Sequence, residues 1–209
     1  LSEKEIRITK LETQKRNKNR ISIYIDNKYA LGVHKDIVYK LNLEKGKILD
    51  KDFIEKIVKA EEQKKANEYA IKFLSYRPRS EKEIKDRMTK KEYEDEVINN
   101  TLEWLKKYDL VNDRDFVEEY VKSKASKYGR SRIRLELRRK GLDDNIVDDV
   151  LNSEYEHEKE YEIALEQAKR KIKVYKGESP QAIYRKLGGY LQRRGFSYDI
   201  VLKILKEII

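Results

Sequence analysis

The sequence has no cysteine, two prolines, one methionine, one tryptophan and two histidines. Without cysteine there is no disulfide framework, no thiol nucleophile and no cysteine-ligated zinc or iron–sulfur centre. So few prolines, with eight glycines, leave little low-complexity linker. No run approaches the roughly 18 apolar residues of a membrane-spanning helix, and the opening segment lacks the apolar core of a secretory signal. A soluble, cytoplasmic protein that does not engage a membrane is the expectation. His34 and His157 fall in different segments, Asp144 and Asp148 share a helical face without a third ligand, and there is no phosphate-binding glycine loop. These absences argue against an enzyme, a metal or a cofactor.

Charge is abundant. Of 209 residues, 49 are Lys or Arg and 39 are Asp or Glu, giving a net charge of +10. The apolar fraction is only 38%, and it includes 15 Tyr, 4 Phe and 1 Trp. Such a chain builds several thin cores more readily than one thick one. The positive surplus suits an acidic or polyanionic partner, although a compositional bias toward lysine, glutamate and tyrosine is an equal reading.

The N-terminal segment alternates. Ile6 and Ile8, then Ile21, Ile23 and Ile25, then Tyr29, Leu31 and Val33 keep a period of two, which predicts a small three-stranded antiparallel sheet. A basic loop, Lys15–Arg20, joins the first two strands. Asp26-Asn27 makes the second turn, since Asp and Asn tolerate positive φ. Residues 34–42 suggest a short helix. Beyond Asp50 the apolar spacing becomes helical, through Phe53, Ile57, Ala66, Ala70 and Phe73, with a polar gap at Glu61–Lys65 and an end near Arg77 before Pro78.

From there the chain repeats. One copy runs Ser80-Glu81-Lys82-Glu83-Ile84, Met88, Tyr93, Val97, Ile98 and Leu102. A second runs Gly129-Arg130-Ser131-Arg132-Ile133, Leu137, Leu142, Ile146, Val147 and Leu151. From Ile84 and from Ile133 the apolar steps are +4, +5, +4, +1 and +4 in both. The third begins Ser179-Pro180-Gln181-Ala182-Ile183 and keeps the steps after one inserted helical turn, Gly188–Leu191. Ser80 with Glu83 forms a capping box, and Pro180 follows the Ser179 cap at the first helical position. An amphipathic helix precedes each helix pair. The expected fold is therefore mainly α: three tandem three-helix repeats in an elongated, curved array, preceded by a small antiparallel β-sheet module. The expected divisions are 1–50, 51–112, 113–155 and 156–209.

Specific residues now resemble a known family. Arg77-Pro78-Arg79-Ser80-Glu81, Trp104-Leu105, Asn112-Asp113-Arg114-Asp115-Phe116, Tyr120-Val121, Gly129, Arg132-Ile133, Glu136-Leu137 and Lys140-Gly141-Leu142 together are similar to the bacterial RecX regulatory proteins. The first repeat departs from the pattern at Lys90-Lys91-Glu92, where a lysine–glycine turn is usual, and the third carries the Gly188-Gly189 insertion. The resemblance implies a tandem array of three-helix motifs. It also implies a monomeric negative regulator of homologous recombination and the SOS response. Such a protein binds the RecA recombinase filament on single-stranded DNA, blocks its extension, promotes its disassembly, and inhibits its ATPase, strand-exchange and co-protease activities. The alternative is a stand-alone DNA-binding or architectural protein whose three-helix modules read a DNA groove; that protein would bind free duplex DNA tightly at physiological salt, whereas the filament regulator would touch free DNA only weakly.

Candidate contact residues are basic. Residues 122–140 include Lys124, Lys127, Arg130, Arg132, Arg134 and Arg138, whereas Asp143, Asp144, Asp148 and Asp149 follow at once. Arg130, Arg134 and Arg138 line one helix face. That face either meets a partner's phosphates or acidic surface, or pairs with the acids of the next helix. Arg77 and Arg79 flank Pro78 at a helix mouth, and Lys169-Arg170-Lys171 with Arg193-Arg194 form a third cluster. Ordinary solvation is the competing explanation for both. The tyrosines sit mostly at core spacing; Tyr128 and Tyr175 are the most open to a stacking role.

Overall fold

The computed structural model describes residues 6–209. Strands β1 (Ile6–Thr13), β2 (Arg20–Ile25), β3 (Lys28–His34) and β4 (Ile48–Leu49) form one antiparallel sheet in the order β3-β2-β1-β4. Asp26 and Asn27 both take positive φ, 50° and 61°, in the turn between β2 and β3. The sheet has four strands where alternation predicted three. β4 is only two residues long, too short to show a period, and it pairs Leu49 with Ile6 and Ile48 with Arg7.

Among the described residues ten α-helices follow or interrupt the strands: α1 (Lys35–Lys40), α2 (Lys51–Leu74), α3 (Glu81–Thr89), α4 (Asp95–Lys107), α5 (Asp113–Lys124), α6 (Arg130–Arg139), α7 (Asp144–Glu154), α8 (His157–Ile172), α9 (Pro180–Arg193) and α10 (Tyr198–Ile208). The fold is mainly α, with three three-helix repeats after an antiparallel N-terminal sheet.

The described chain forms two compact units. The first holds the residues up to Tyr76 with Met88–Leu105. Its core joins Ile8, Ile23 and Val33 of the sheet to Ile37, Val38, Leu43, Leu49 and Ile57. Helix α2 runs unbroken through the polar stretch at Glu61–Lys65, which the spacing marked as a gap. Glu61 and Gln63 of that stretch are bonded. Glu61 is buried, accepts from the His34 N–H at 2.8 Å and pairs with Arg20. Gln63 donates to Thr101 Oγ1 at 2.8 Å and to the Val97 carbonyl at 3.2 Å. A buried polar group that is bonded does not have to interrupt a helix.

The second unit holds Arg77–Arg87 with Lys106–Ile209. One core gathers Phe116, Val117, Val121, Ile133, Leu137, Leu142, Val147, Val150, Leu151 and Tyr155 of the second repeat. Another gathers Ala164, Ala168, Leu187, Leu191, Phe196, Ile200, Val201, Ile204 and Leu205 of the third. Tyr155 is fully buried, and its hydroxyl donates to the carbonyls of Ala125 and Tyr128 at 3.1 and 3.0 Å.

Within this unit the repeats are joined in the same way twice. Ser80 and Glu83 close the capping box reciprocally, at 3.2 and 3.3 Å. The Glu81 N–H at the mouth of α3 donates to Asp113 Oδ1 of the next repeat at 2.9 Å. At the matching position of α6 the Arg130 N–H donates to Glu160 Oε1, again from the next repeat, at 2.9 Å. Ser80 Oγ donates to the Lys140 carbonyl at 2.7 Å, and the Gly129 N–H donates to the Arg194 carbonyl at 2.9 Å. Each helix mouth, with its unsatisfied N–H groups, is thus stopped by the following repeat. The third repeat has Pro180 at the equivalent first helical position. Proline has no N–H there to satisfy.

Candidate functional site

The three basic clusters divide between two settings, one facing α7 and one lying where successive repeats meet. On α6, Arg134 Nε donates to Asp148 Oδ1 at 2.7 Å. Arg138 forks onto Asp144, with Nε to Oδ1 at 2.8 Å and Nη2 to Oδ2 at 2.7 Å. Arg130 Nη2 donates to Asn152 Oδ1. The stripe therefore faces the polar side of α7, which is the pairing that the adjacent run of acids offered as the alternative to a partner. The arrangement is local chemistry: an arginine at each turn of α6 meets a short polar side chain on the antiparallel neighbour. These pairs are solvent-accessible, so each contributes only modestly to stability.

Arg132 points the other way, toward the third repeat. Its Nε pairs with Glu136 at 3.0 Å, its Nη1 donates to the Arg193 carbonyl at 3.1 Å, and its guanidinium lies 4.2 Å from the centre of the Tyr128 ring. Tyr128, one of the two tyrosines singled out for stacking, already carries that cation. The other, Tyr175, has Lys171 and Lys186 over its ring at 5.5 and 5.8 Å.

Where the first and second repeats meet, Arg77, Pro78, Glu119, Ser123, Lys124 and Lys140 line a groove of about 310 Å³ over Phe116 and Tyr120. Arg77 Nη2 pairs with Glu83 at 2.7 Å, and Arg79 Nη1 lies 4.0 Å from the same carboxylate. Burial pushes the Glu83 carboxyl up, but its bonds from Arg77, the Ser80 N–H and Lys140 outweigh this and hold it below the usual range. Tyr120 donates to Glu136 Oε2 at 2.6 Å. Burial first, and then that bond, drive the phenol well above its ordinary value, so it stays a donor.

Where the second and third repeats meet, a groove of about 290 Å³ is lined by Ser126, Lys127, Glu166, Arg170, Lys171 and Arg194, with Gln167 and Tyr190. Arg170 pairs with Glu166. Arg194 Nη1 donates to the Lys127 carbonyl at 3.2 Å. Lys127, Lys169 and Arg193 project as exposed side chains. Of the residues expected to form contacts, Lys127, Arg170, Lys171 and Arg194 are thus brought together; Lys169 and Arg193 lie outside the groove lining. Sequence reading missed Lys140, Tyr120 and Tyr190 as parts of these grooves. Lys140 stood in the family motif, but nothing in its spacing showed that it would reach back to α5.

Among the described residues, no group of three or more His, Asp or Glu is placed to hold a metal, and no helix is long and apolar enough to cross a membrane.

Comparison with known proteins accounts for nearly the whole length. A family model for the "Regulatory protein RecX N-terminal domain" matches residues 6–50. Models for the first, second and third three-helix domains of RecX match residues 66–105, 112–151 and 158–205. The chain belongs to the RecX family. A RecX regulatory protein of Clostridium acetobutylicum is 34% identical, with 96% of this chain and 95% of that protein covered. One from Bacillus pumilus is 38% identical over 96% of this chain and 76% of its own. A crystal structure of a RecX regulatory protein is similar at a TM-score of 0.83 and 29% identity, covering 97% of this chain and 99% of the other. The RecX structure from Lactobacillus salivarius covers 71% of this chain and 97% of its own, at a TM-score of 0.66 and 30% identity. The first three of these relatives are named as regulatory proteins.

Proposed function

We propose that this RecX-family chain is a cytoplasmic, monomeric negative regulator of RecA that performs no chemistry of its own. It binds the RecA filament on single-stranded DNA, blocks filament extension and promotes disassembly. Loss of filament then lowers ATP hydrolysis, strand exchange and co-protease activity, and so damps recombination and the SOS response. The observation that carries this reading is the run of RecX domain matches along the chain, N-terminal domain and all three repeats in order. The cationic grooves supply a physical means: several modest contacts on one chain gain from effective concentration when the target is a polymer.

Arg134 and Arg138 are engaged by acids of α7, which weighs against α6 as a free reader of base edges. Added at a small fraction of RecA's molar amount, the folded chain should lower the ATPase rate of RecA on single-stranded DNA. An unchanged rate would remove this reading.

A further inference from the structure

The two grooves of the second unit are one site built twice. Lys124 and Lys171 hold matching positions on α5 and α8. Lys140 and Arg194 hold matching positions just past α6 and α9, each directly before a positive-φ glycine. In both grooves these two cations converge on a single tyrosine ring. Lys124 and Lys140 lie 5.6 and 5.8 Å from the centre of Tyr120. Lys171 and Arg194 lie 5.5 and 5.2 Å from the centre of Tyr190.

The tyrosines, however, come from different helices. Tyr120 is on α5 and donates to Glu136 of α6; Tyr190 is on α9 and donates to Gln167 of α8 at 3.4 Å. The two positions have exchanged residues while the ring, its hydroxyl bond and its two cations are retained. Core packing alone does not demand that the same cation pair be rebuilt around a tyrosine from the opposite wall.

We propose that each groove is a docking site for a carboxylate-bearing segment of a protein partner. Lys124 and Lys171 enter no ion pair among the described residues, so each has an ammonium available to an incoming acid. Groove chemistry favours a peptide over a nucleic-acid strand for two reasons. Two cations already lie 5.2–5.8 Å from the centre of each tyrosine ring, so a base stacking there would compete with them. Each groove also carries its own carboxylate at matching positions, Glu119 and Glu166. A continuous phosphate chain would pass a like charge at both sites, whereas discrete side-chain carboxylates can be placed around it. Tyrosine and arginine with a mixed-charge rim are the usual materials of protein–protein contact. This rests on the reading of the chain as a regulator that docks on another protein, and it names the chemistry of the surface engaged.

The test is amide NMR on the isotopically labelled full chain, titrated at low salt with blocked hexaglutamate and, separately, with hexathymidylate. Hexaglutamate should shift amides around Lys124, Lys140, Lys171 and Arg194 saturably, and more tightly than hexathymidylate does. The double variant K124Q/K171Q should weaken peptide binding by about threefold or more, as loss of one accessible ion pair per site would, while K124R/K171R should restore it. Shifts confined to other surfaces, tighter binding of the oligonucleotide in the grooves, or an affinity unchanged in K124Q/K171Q would overturn the proposal. RecA ATPase measured alongside separates the two readings. Groove binding of the peptide without ATPase inhibition removes only the regulator reading; inhibition without groove binding removes only this one.

Discussion

Gly195 takes φ +86°, and a Cβ there would run into Arg132 of the preceding repeat. Gly141 does the same at φ +80° against Lys82. Glycine is needed at both for two separate reasons, the left-handed backbone and the close approach of a neighbouring repeat. The corresponding residue of the first repeat, Glu92, keeps the left-handed backbone at φ 62° but belongs to a repeat with no earlier three-helix repeat before it. Hence Gly195→Ala should destabilise by about 2 kcal/mol or more, adding collision to backbone strain. Glu92→Gly should stabilise by about 1 kcal/mol by relieving the strain alone. Urea unfolding monitored by circular dichroism measures both, and equal effects at the two positions would contradict the account.

Glu160 is a second single-residue test. It is 2% exposed, and burial raises its carboxyl pKa in spite of the Arg130 N–H bond and the nearby His157. A raised carboxyl binds its proton more tightly in the folded state than in the unfolded one. Its stabilising contribution is therefore complete at low pH and is lost as pH rises through the folded-state value. Glu160→Gln keeps an acceptor for the Arg130 N–H without the buried charge. Its stability relative to the parent should therefore rise as pH rises through that value. Glu160→Ala leaves the N–H without a partner and should cost about 1–3 kcal/mol.

At the scale of elements, the capped helix starts carry most of what sequence could disclose. Ser80, Ser179, Asp143 and Ser197 all accept backbone N–H bonds at helix starts, because capping is a short-range interaction written in a few adjacent residues. The repeat steps mark buried positions for the same reason: Ile84, Met88, Ile98, Ile133, Leu137, Val147 and Leu151 are all within the cores. What was not legible depends on distant partners. The polar stretch of α2 reads as a break until Thr101, Arg20 and His34 are in place, and β4 has meaning only beside β1. The grooves belong to the same class, since Lys140 meets Tyr120 only after α6 has folded back. Tyr155 unites the two scales: its hydroxyl ties the end of α7 to the loop before α6. Tyr155→Phe should lower stability by about 1–2 kcal/mol, from two buried carbonyls losing their shared donor. No loss in thermal unfolding would mean that those carbonyls find other partners.

For the whole molecule, repetition is the organising fact. One joint, with a carboxylate stopping a helix mouth and a lysine or arginine before a glycine, is used between the first and second repeats and again between the second and third. Proline at the last helix mouth ends the series without leaving a donor unmet. Such a chain presents similar grooves in sequence, a form suited to a target that itself repeats. The most direct test is co-sedimentation of the chain with RecA–single-stranded DNA filaments, compared with the same DNA alone at physiological salt. The chain should pellet with the filament and stay in solution with naked DNA. Equal pelleting with naked DNA, or none with the filament, would contradict the account.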